Sequence, residues 1–277
     1  MEFRTYETWH FPTSVHEVVD FAVNFNGHSQ PVIHDYPWSL PTVAIVLYLI
    51  MVHFLPSFME KRQAFDLRWA LKIWNFLLVV MSLFIFWGMI GPVVSFLYHR
   101  GFYNMICLPN GELYVGLPFF CIWAFALSKF AELIDTLFLI LRKRPVNFLH
   151  WYHHTTVLAY TYFSMAVLTP PGAIFGVVNA GVHTVMYWYY FLAACGRRPS
   201  WGKLVTVIQL SQMVVGITTA SCWTYFYLSG DLCPMDHPRA YMFSSLALYG
   251  SYFALFLNFY INRYTIPTRG SSQKKTQ

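Results

Sequence analysis

The sequence predicts an all-α polytopic membrane protein with seven transmembrane helices. Three observations carry that reading. Of 277 residues, 57% are apolar and only 11% are Asp, Glu, Lys or Arg, against about 25% charged residues in an ordinary soluble domain. Seven apolar stretches each exceed the roughly 20 residues needed to cross a hydrocarbon core. The 18 Lys and Arg residues are shared very unequally between the connecting segments. Aromatics make up 20% and the mean hydropathy is +0.45. A disordered chain, a coiled coil and a water-soluble enzyme with a normal surface are excluded, because there is too little charge to cover a globule of this size.

Residues 1–36 precede the first stretch and read as a lumenal N-terminal segment. They lack a basic region followed by an apolar core, so the first span doubles as the targeting signal. Val15, Val18, Val19, Ala22 and Phe25 recur at roughly helical spacing, which predicts a short helix lying on the membrane. The spans then follow at about 38–58, 69–94, 117–141, 148–168, 173–195, 204–228 and 240–262. Lys72 and Pro92 soften the edges of the second. Residues 37–265 thus form one seven-span domain, and 266–277 a polar tail. The tail ends Lys274-Lys275-Thr276-Gln277, which resembles the dilysine signal that returns membrane proteins to the endoplasmic reticulum.

Orientation follows from the basic residues. Lys61, Arg62 and Arg68 fall on one side, with Arg142, Lys143 and Arg144, then Arg197, Arg198 and Lys203, then Arg263, Arg269, Lys274 and Lys275. Only Arg4, Arg100 and Arg239 fall on the other. The first side is therefore cytosolic, the N-terminus lumenal and the C-terminus cytosolic. A face this basic suits an anionic partner, such as lipid headgroups or a phosphorylated soluble substrate. The positive-inside bias alone would also produce it. Cys121, Cys195 and Cys222 fall within spans as small apolar fillers. Cys107 and Cys233 fall in two lumenal loops. An oxidising lumen allows a bridge between them, and two free thiols are the alternative.

Polar groups inside a membrane are expensive and point to function. Lys129, Glu132, Asp135 and Thr136 recur on one side of the third span, where a Lys–Glu pair three residues apart lowers the cost. Packing alone could also explain them. His150, His153 and His154 share a face at the cytosolic end of the fourth span, and imidazole serves as nucleophile, general base or metal ligand. Asn179, His183, Met186, Tyr187 and Tyr190 line one face of the fifth, where neighbouring amide and phenol groups can orient the imidazole. Thr206, Gln209 and Gln212 follow in the sixth, either as glue between helices or as a cavity lining. One site open to the cytosol, where spans three to six meet, accounts for all four clusters.

These motifs resemble those of the ELO family of very-long-chain fatty acid elongases, the 3-ketoacyl-CoA synthases. Lys129-Phe-Ala-Glu132-Leu-Ile-Asp135-Thr136 looks like the family's KxxExxDT motif, and His150-Trp-Tyr-His153-His154 like its HxxHH box. His183-Thr-Val-Met186-Tyr187-Trp-Tyr189-Tyr190 is similar to HxxMYxYY, and Thr206-Val-Ile-Gln209-Leu-Ser-Gln212 to TxxQxxQ. The resemblance covers roughly residues 60–265, and the segment around His150 is most similar to the branch acting on saturated and monounsaturated chains. It implies condensation of acyl-CoA with malonyl-CoA to a 3-ketoacyl-CoA two carbons longer, in the endoplasmic reticulum membrane. It also implies a ring of spans two to seven around an acyl tunnel open to the cytosol, and a lumenal disulfide between Cys107 and Cys233.

On this resemblance His153 attacks the thioester to form an acyl-imidazole, or acts as general base for direct condensation. His183, held by Asn179 and Tyr187, stabilises the enolate, and His150 and His154 orient His153 or carry protons. Lys129, Glu132 and Asp135 hold spans three and four in register. Gln209 and Gln212 donate to the thioester oxygen or malonyl carboxylate. Arg142, Lys143, Arg144, Lys203, Arg263 and Arg269 are candidates for binding CoA phosphates. No cofactor, no metal and no nucleic-acid partner are expected; a homodimer and association with other elongation-cycle enzymes are. A membrane di-iron desaturase or hydroxylase also uses an HxxHH box, but needs about eight histidines for two irons. A non-enzymatic seven-span receptor or lipid transporter would place its ligand site on the other face.

Overall fold

A computed structural model describes residues 15–25, 39–108, 111–197, 199–230, 233 and 238–265. Eight α-helices are present among them: α1 Val15–Val23, α2 Ser39–Glu60, α3 Arg68–Cys107, α4 Gly116–Leu141, α5 Phe148–Ala166, α6 Gly172–Ala194, α7 Gly202–Leu228 and α8 Pro238–Tyr264. The last seven follow the seven apolar stretches closely. Four of them, α2, α3, α7 and α8, are long and apolar enough to cross a membrane. The other three, α4, α5 and α6, carry the ionisable and histidine clusters.

The second apolar stretch ends sooner in the sequence reading than α3 does in the structure. At 40 residues, a straight α3 would be about 60 Å long, twice the hydrocarbon thickness. It is not straight. Gly101 adopts φ 81°, ψ 166°, a conformation that lacks the side-chain penalty only in glycine. The segment after this break stays helical to Cys107, where a loop was expected. Cys107 is joined there to Cys233, with the Cα atoms 4.7 Å apart.

Neighbour relations close a circuit of six helices. α3 packs on α4, α4 on α5, α5 on α8, α8 on α7, α7 on α6, and α6 back on α3. α2 is not a member and packs against α4 and α5. Close approach of α7 and α8 depends on Gly216, where a Cβ would run into the ring of Tyr249. Small residues at helix contacts serve this purpose in membranes, where close packing drives association.

The N-terminal helix expected from residues 15–25 is present, and it is docked. Ala22 and Phe25 are buried while Val19 and Val23 remain exposed. Phe25 packs among Phe119, Phe120 and Trp123 of α4, and its carbonyl accepts a hydrogen bond from Gly116 N at 2.6 Å. Cys195, read as inside a span, is the exposed C-cap of α6. The helix stops one residue earlier and Gly196 turns away with φ 84°. Arg198, Arg269, Lys274 and Lys275 lie outside the described residues.

Candidate functional site

Asn147 starts the site. Its side chain caps α5 by accepting from His150 N at 2.8 Å, which satisfies one of the free amides of the first turn. Three histidines follow within that turn and the next, and the helix separates them. His153 points into a cavity, with its ring 4.9 Å from that of Tyr252 on α8. His150 turns towards α4, where Nε2 lies 2.9 Å from Thr136 Oγ1. His154 is buried, with its ring 4.4 Å from His150, 5.5 Å from His153 and 6.2 Å from Tyr48. Its Nδ1 has no hydrogen-bond partner among the described residues. The expected single histidine face is thus shared between a cavity and the α2–α4 contact, because i, i+3 and i+4 positions still span a wide arc.

The acid–base cluster of α4 faces α6. Lys129 Nζ donates to Glu132 Oε1 at 2.7 Å and to Asn179 Oδ1 at 3.0 Å. It also stands 4.4 Å above the Phe125 ring. Glu132 Oε1 lies 3.4 Å from His183 Nδ1, and its Oε2 has no partner among the described residues. One helical turn later, Asp135 accepts from Trp74 Nε1 at 2.6 Å and from Tyr187 Oη at 2.8 Å.

Two expected roles are corrected by this geometry. Lys129, Glu132 and Asp135 were read as holding spans three and four in register. They tie α4 to α6 and α3, the third span to the fifth and second, and only Thr136 reaches α5. His183 was read as held by Asn179 and Tyr187. Its polar partner is Glu132, because Asn179 is taken by Lys129 and the Tyr187 hydroxyl by Asp135. Tyr187 meets His183 only edge-on, with ring centroids 5.4 Å apart. Tyr190 is 44% exposed and joins neither the ion pair nor the cavity wall. At eleven residues beyond Asn179 it lies about 16 Å further along the helix.

The cavity and the open space at its mouth together take up about 720 Å³. His153, Asn179 and Gln212 supply polar groups to its wall. Gln209 lies elsewhere, with Nε2 3.3 Å from Met186 Sδ. Along α5 the lining runs His153, Val157, Tyr160, Thr161, Ser164 and Met165, a continuous helical stripe, and Leu168 follows just past the end of the helix. At the far end Tyr114 shares its hydroxyl between the carbonyls of Leu168 and Thr169, at 3.3 and 3.0 Å. Burial pushes the Tyr114 phenol well above its ordinary range, so it acts as a donor here. Leu168 sits in the left-handed region with φ 50°, a conformation that needs such support in a branched residue.

Among the described residues, none of Arg142, Lys143, Arg144, Lys203 and Arg263 lines the cavity. Arg142 caps the end of α4, and Lys143 Nζ donates to the Glu60 carbonyl at 2.9 Å, tying α4 to the end of α2. Lys203 lies 5.5 Å from the Tyr260 ring, joining the start of α7 to the end of α8. Arg144 and Arg263 are exposed. Tyr48, Trp74, Tyr114 and Tyr252 were missed by sequence reasoning, since a lone aromatic in an apolar helix carries no pattern. Among the described residues no three His, Cys, Asp or Glu side chains converge as metal ligands would.

A model of the ELO (GNS1/SUR4) family matches residues 33–274. Very long chain fatty acid elongase 4 of Trypanosoma cruzi is 36% identical over 239 residues, covering 84% of this chain and 83% of its own. Human very long chain fatty acid elongase 3 is 36% identical over 245 residues, covering 86% and 87%. Very long chain fatty acid elongase 6 of Drosophila melanogaster is 36% identical over 231 residues, covering 82% and 73%.

Proposed function

The chain belongs to the ELO (GNS1/SUR4) family and is a fatty acid elongase condensing enzyme, and from this premise we propose how it works. Acyl-CoA and malonyl-CoA are its substrates. The products are carbon dioxide, free CoA and a 3-ketoacyl-CoA two carbons longer, which makes it a 3-oxoacyl-CoA synthase. The observation that carries the assignment of roles is the placement of His153. Of the four motif imidazoles, it is the one that lines the apolar cavity.

In this reading the acyl chain lies along the α5 stripe with its thioester beside His153. The imidazole attacks the thioester carbon, and the carbon–sulfur bond breaks as the CoA thiolate leaves and is protonated. Malonyl-CoA then loses carbon dioxide, and its enolate carbon attacks the acyl-imidazole. The carbon–nitrogen bond breaks and its electrons return to the ring. Covalent catalysis divides one difficult step into two easier ones. Asn179 and Gln212 supply amide donors to the same cavity wall, suited to a developing oxyanion.

Cavity length sets the substrate. From His153 to Leu168 the stripe covers 15 residues, or about 22 Å at about 1.5 Å per residue. An extended chain with carbon–carbon bonds of about 1.5 Å at about 111° advances about 1.25 Å per carbon. A chain of about 18 carbons therefore matches the stripe in length, and the wall suits saturated or monounsaturated chains.

All seven long helices cross the membrane of the endoplasmic reticulum, with the N-terminal segment (1–36) lumenal and the tail (266–277) cytosolic. The α3–α4–α5–α8–α7–α6 circuit is the wall of an acyl tunnel open to the cytosol. Lys274 and Lys275 act as the retrieval signal. Arg142, Lys143, Arg144, Lys203, Arg263 and Arg269 supply the charge that attracts CoA phosphates. No cofactor takes part. The enzyme works as a homodimer alongside the other enzymes of the elongation cycle.

Intact-protein mass spectrometry after incubation with a long-chain acyl-CoA alone tests the mechanism. A gain of one acyl mass, absent from His153→Ala, is expected. Product formed on adding malonyl-CoA without any prior adduct would instead assign His153 as general base for direct condensation.

A further inference from the structure

Buried in the contact of α2 with α4 and α5 is a phenol that none of the four motifs includes. Tyr48 is 3% exposed on a helix whose other large side chains mostly face outwards. Its Oη lies 2.9 Å from Thr136 Oγ1, and Thr136 Oγ1 lies 2.9 Å from His150 Nε2. Thr136 is fully buried. We infer that Tyr48, on the helix outside the six-helix circuit, is a positioning residue of the histidine box and holds His150 through Thr136.

Proton counting gives the chain of hydrogen bonds a direction. The Tyr48 hydroxyl has one hydrogen, and Thr136 is the partner the structure offers it. Were the phenol only to accept, its hydrogen would be buried without a partner, which is the costly arrangement. The phenol therefore donates to Thr136. The threonine hydroxyl then uses its own hydrogen on His150 Nε2, so the His150 proton sits on Nδ1. Asn147 fixes the same residue at its backbone amide. The fixed His150 ring packs against His154, and His154 against His153. A hydroxyl on α2 thereby governs the orientation of the imidazole that meets the substrate, without touching the substrate itself. The helix outside the six-helix circuit is thus part of the catalytic support.

This inference rests on the condensing reading above, and the test separates the two. Purified full-length wild type, Tyr48→Phe, Thr136→Val, Thr136→Ser and the Tyr48→Phe/Thr136→Val double variant are assayed for malonyl-CoA-dependent condensation, with thermal melts on the same samples. Tyr48→Phe and Thr136→Val should each lower kcat by roughly 3- to 10-fold, the worth of one hydrogen bond, with KM for acyl-CoA unchanged. The double variant should lose no more than the weaker single one, because both substitutions cut the same chain. Thr136→Ser, which keeps the hydroxyl, should restore wild-type kcat. A wild-type kcat in Tyr48→Phe overturns the inference, as do losses that multiply in the double variant or that track the fraction of folded protein. A wild type that forms no product at any chain length overturns the condensing reading itself.

Discussion

Lys129 and Glu132 form an ion pair almost wholly removed from water, with Nζ 2.7 Å from Oε1 and side-chain exposures of 1% and 2%. Two further contacts make the arrangement tolerable. Asn179 accepts from the ammonium, and His183 Nδ1 lies against the carboxylate. Removing one partner leaves the other charge buried and unpaired, which costs about 3–5 kcal/mol. Lys129→Met should therefore lower the melting temperature more than the Lys129→Met/Glu132→Met double variant does. Equal or greater destabilisation in the double variant would show that the pair itself stabilises the bundle. Activity should be lost in the double variant, where His183 loses its partner Glu132.

The Cys107–Cys233 bridge joins residues 126 apart, linking the end of α3 to the segment before α8. Loss of a native disulfide typically costs about 2–5 kcal/mol. Cys107→Ser should melt earlier than wild type under non-reducing conditions. Added reductant should bring wild type down to the level of the variant and leave the variant unchanged. A reductant effect of equal size in Cys107→Ser would point to another cause.

Gly216 and Tyr249 offer a test of helix packing that also reaches the site. A Cβ at 216 meets the Tyr249 ring, and that ring lines the cavity. Overpacking of this kind costs about 1–3 kcal/mol. Gly216→Ala should lower the melting temperature and also reduce condensation of long acyl-CoA, as the ring moves into the cavity. Combining it with Tyr249→Leu should recover much of the stability. Stability unchanged in Gly216→Ala would mean that α7 and α8 separate at no cost.

The same residues show what was legible in the sequence. Helix positions followed from runs of apolar residues, and the placement of His153, Lys129 and Glu132 on helix faces followed from spacing. Which helix each face meets did not follow, since periodicity gives an angle around one axis and says nothing of the neighbour. The pairing of Glu132 with His183 and of Asp135 with Trp74 was invisible for that reason. Tyr48 was missed because one phenol among apolar residues looks like any interfacial aromatic. The helical continuation past Gly101 was missed because residues 95–107 mix polar and apolar types, and their helix is secured by the disulfide and by packing.

The far end of the cavity provides the last prediction. Thr161 lies eight residues beyond His153 on the lining stripe, or about 12 Å. At about 1.25 Å per carbon, that distance corresponds to about ten carbons. Thr161→Trp should block the cavity there, so that primers of about ten carbons are still elongated and those of 16 or more are not. Tyr114 closes the far end, beyond Thr161, by its bonds to Leu168 and Thr169. Tyr114→Ala removes that closure and should extend the range beyond about 18 carbons, at some loss of stability because Leu168 loses its support. Melting temperatures measured alongside separate the two effects, since a change in folded fraction alone scales all chain lengths equally. Product profiles that fall uniformly in both variants would mean that the acyl chain does not run along α5.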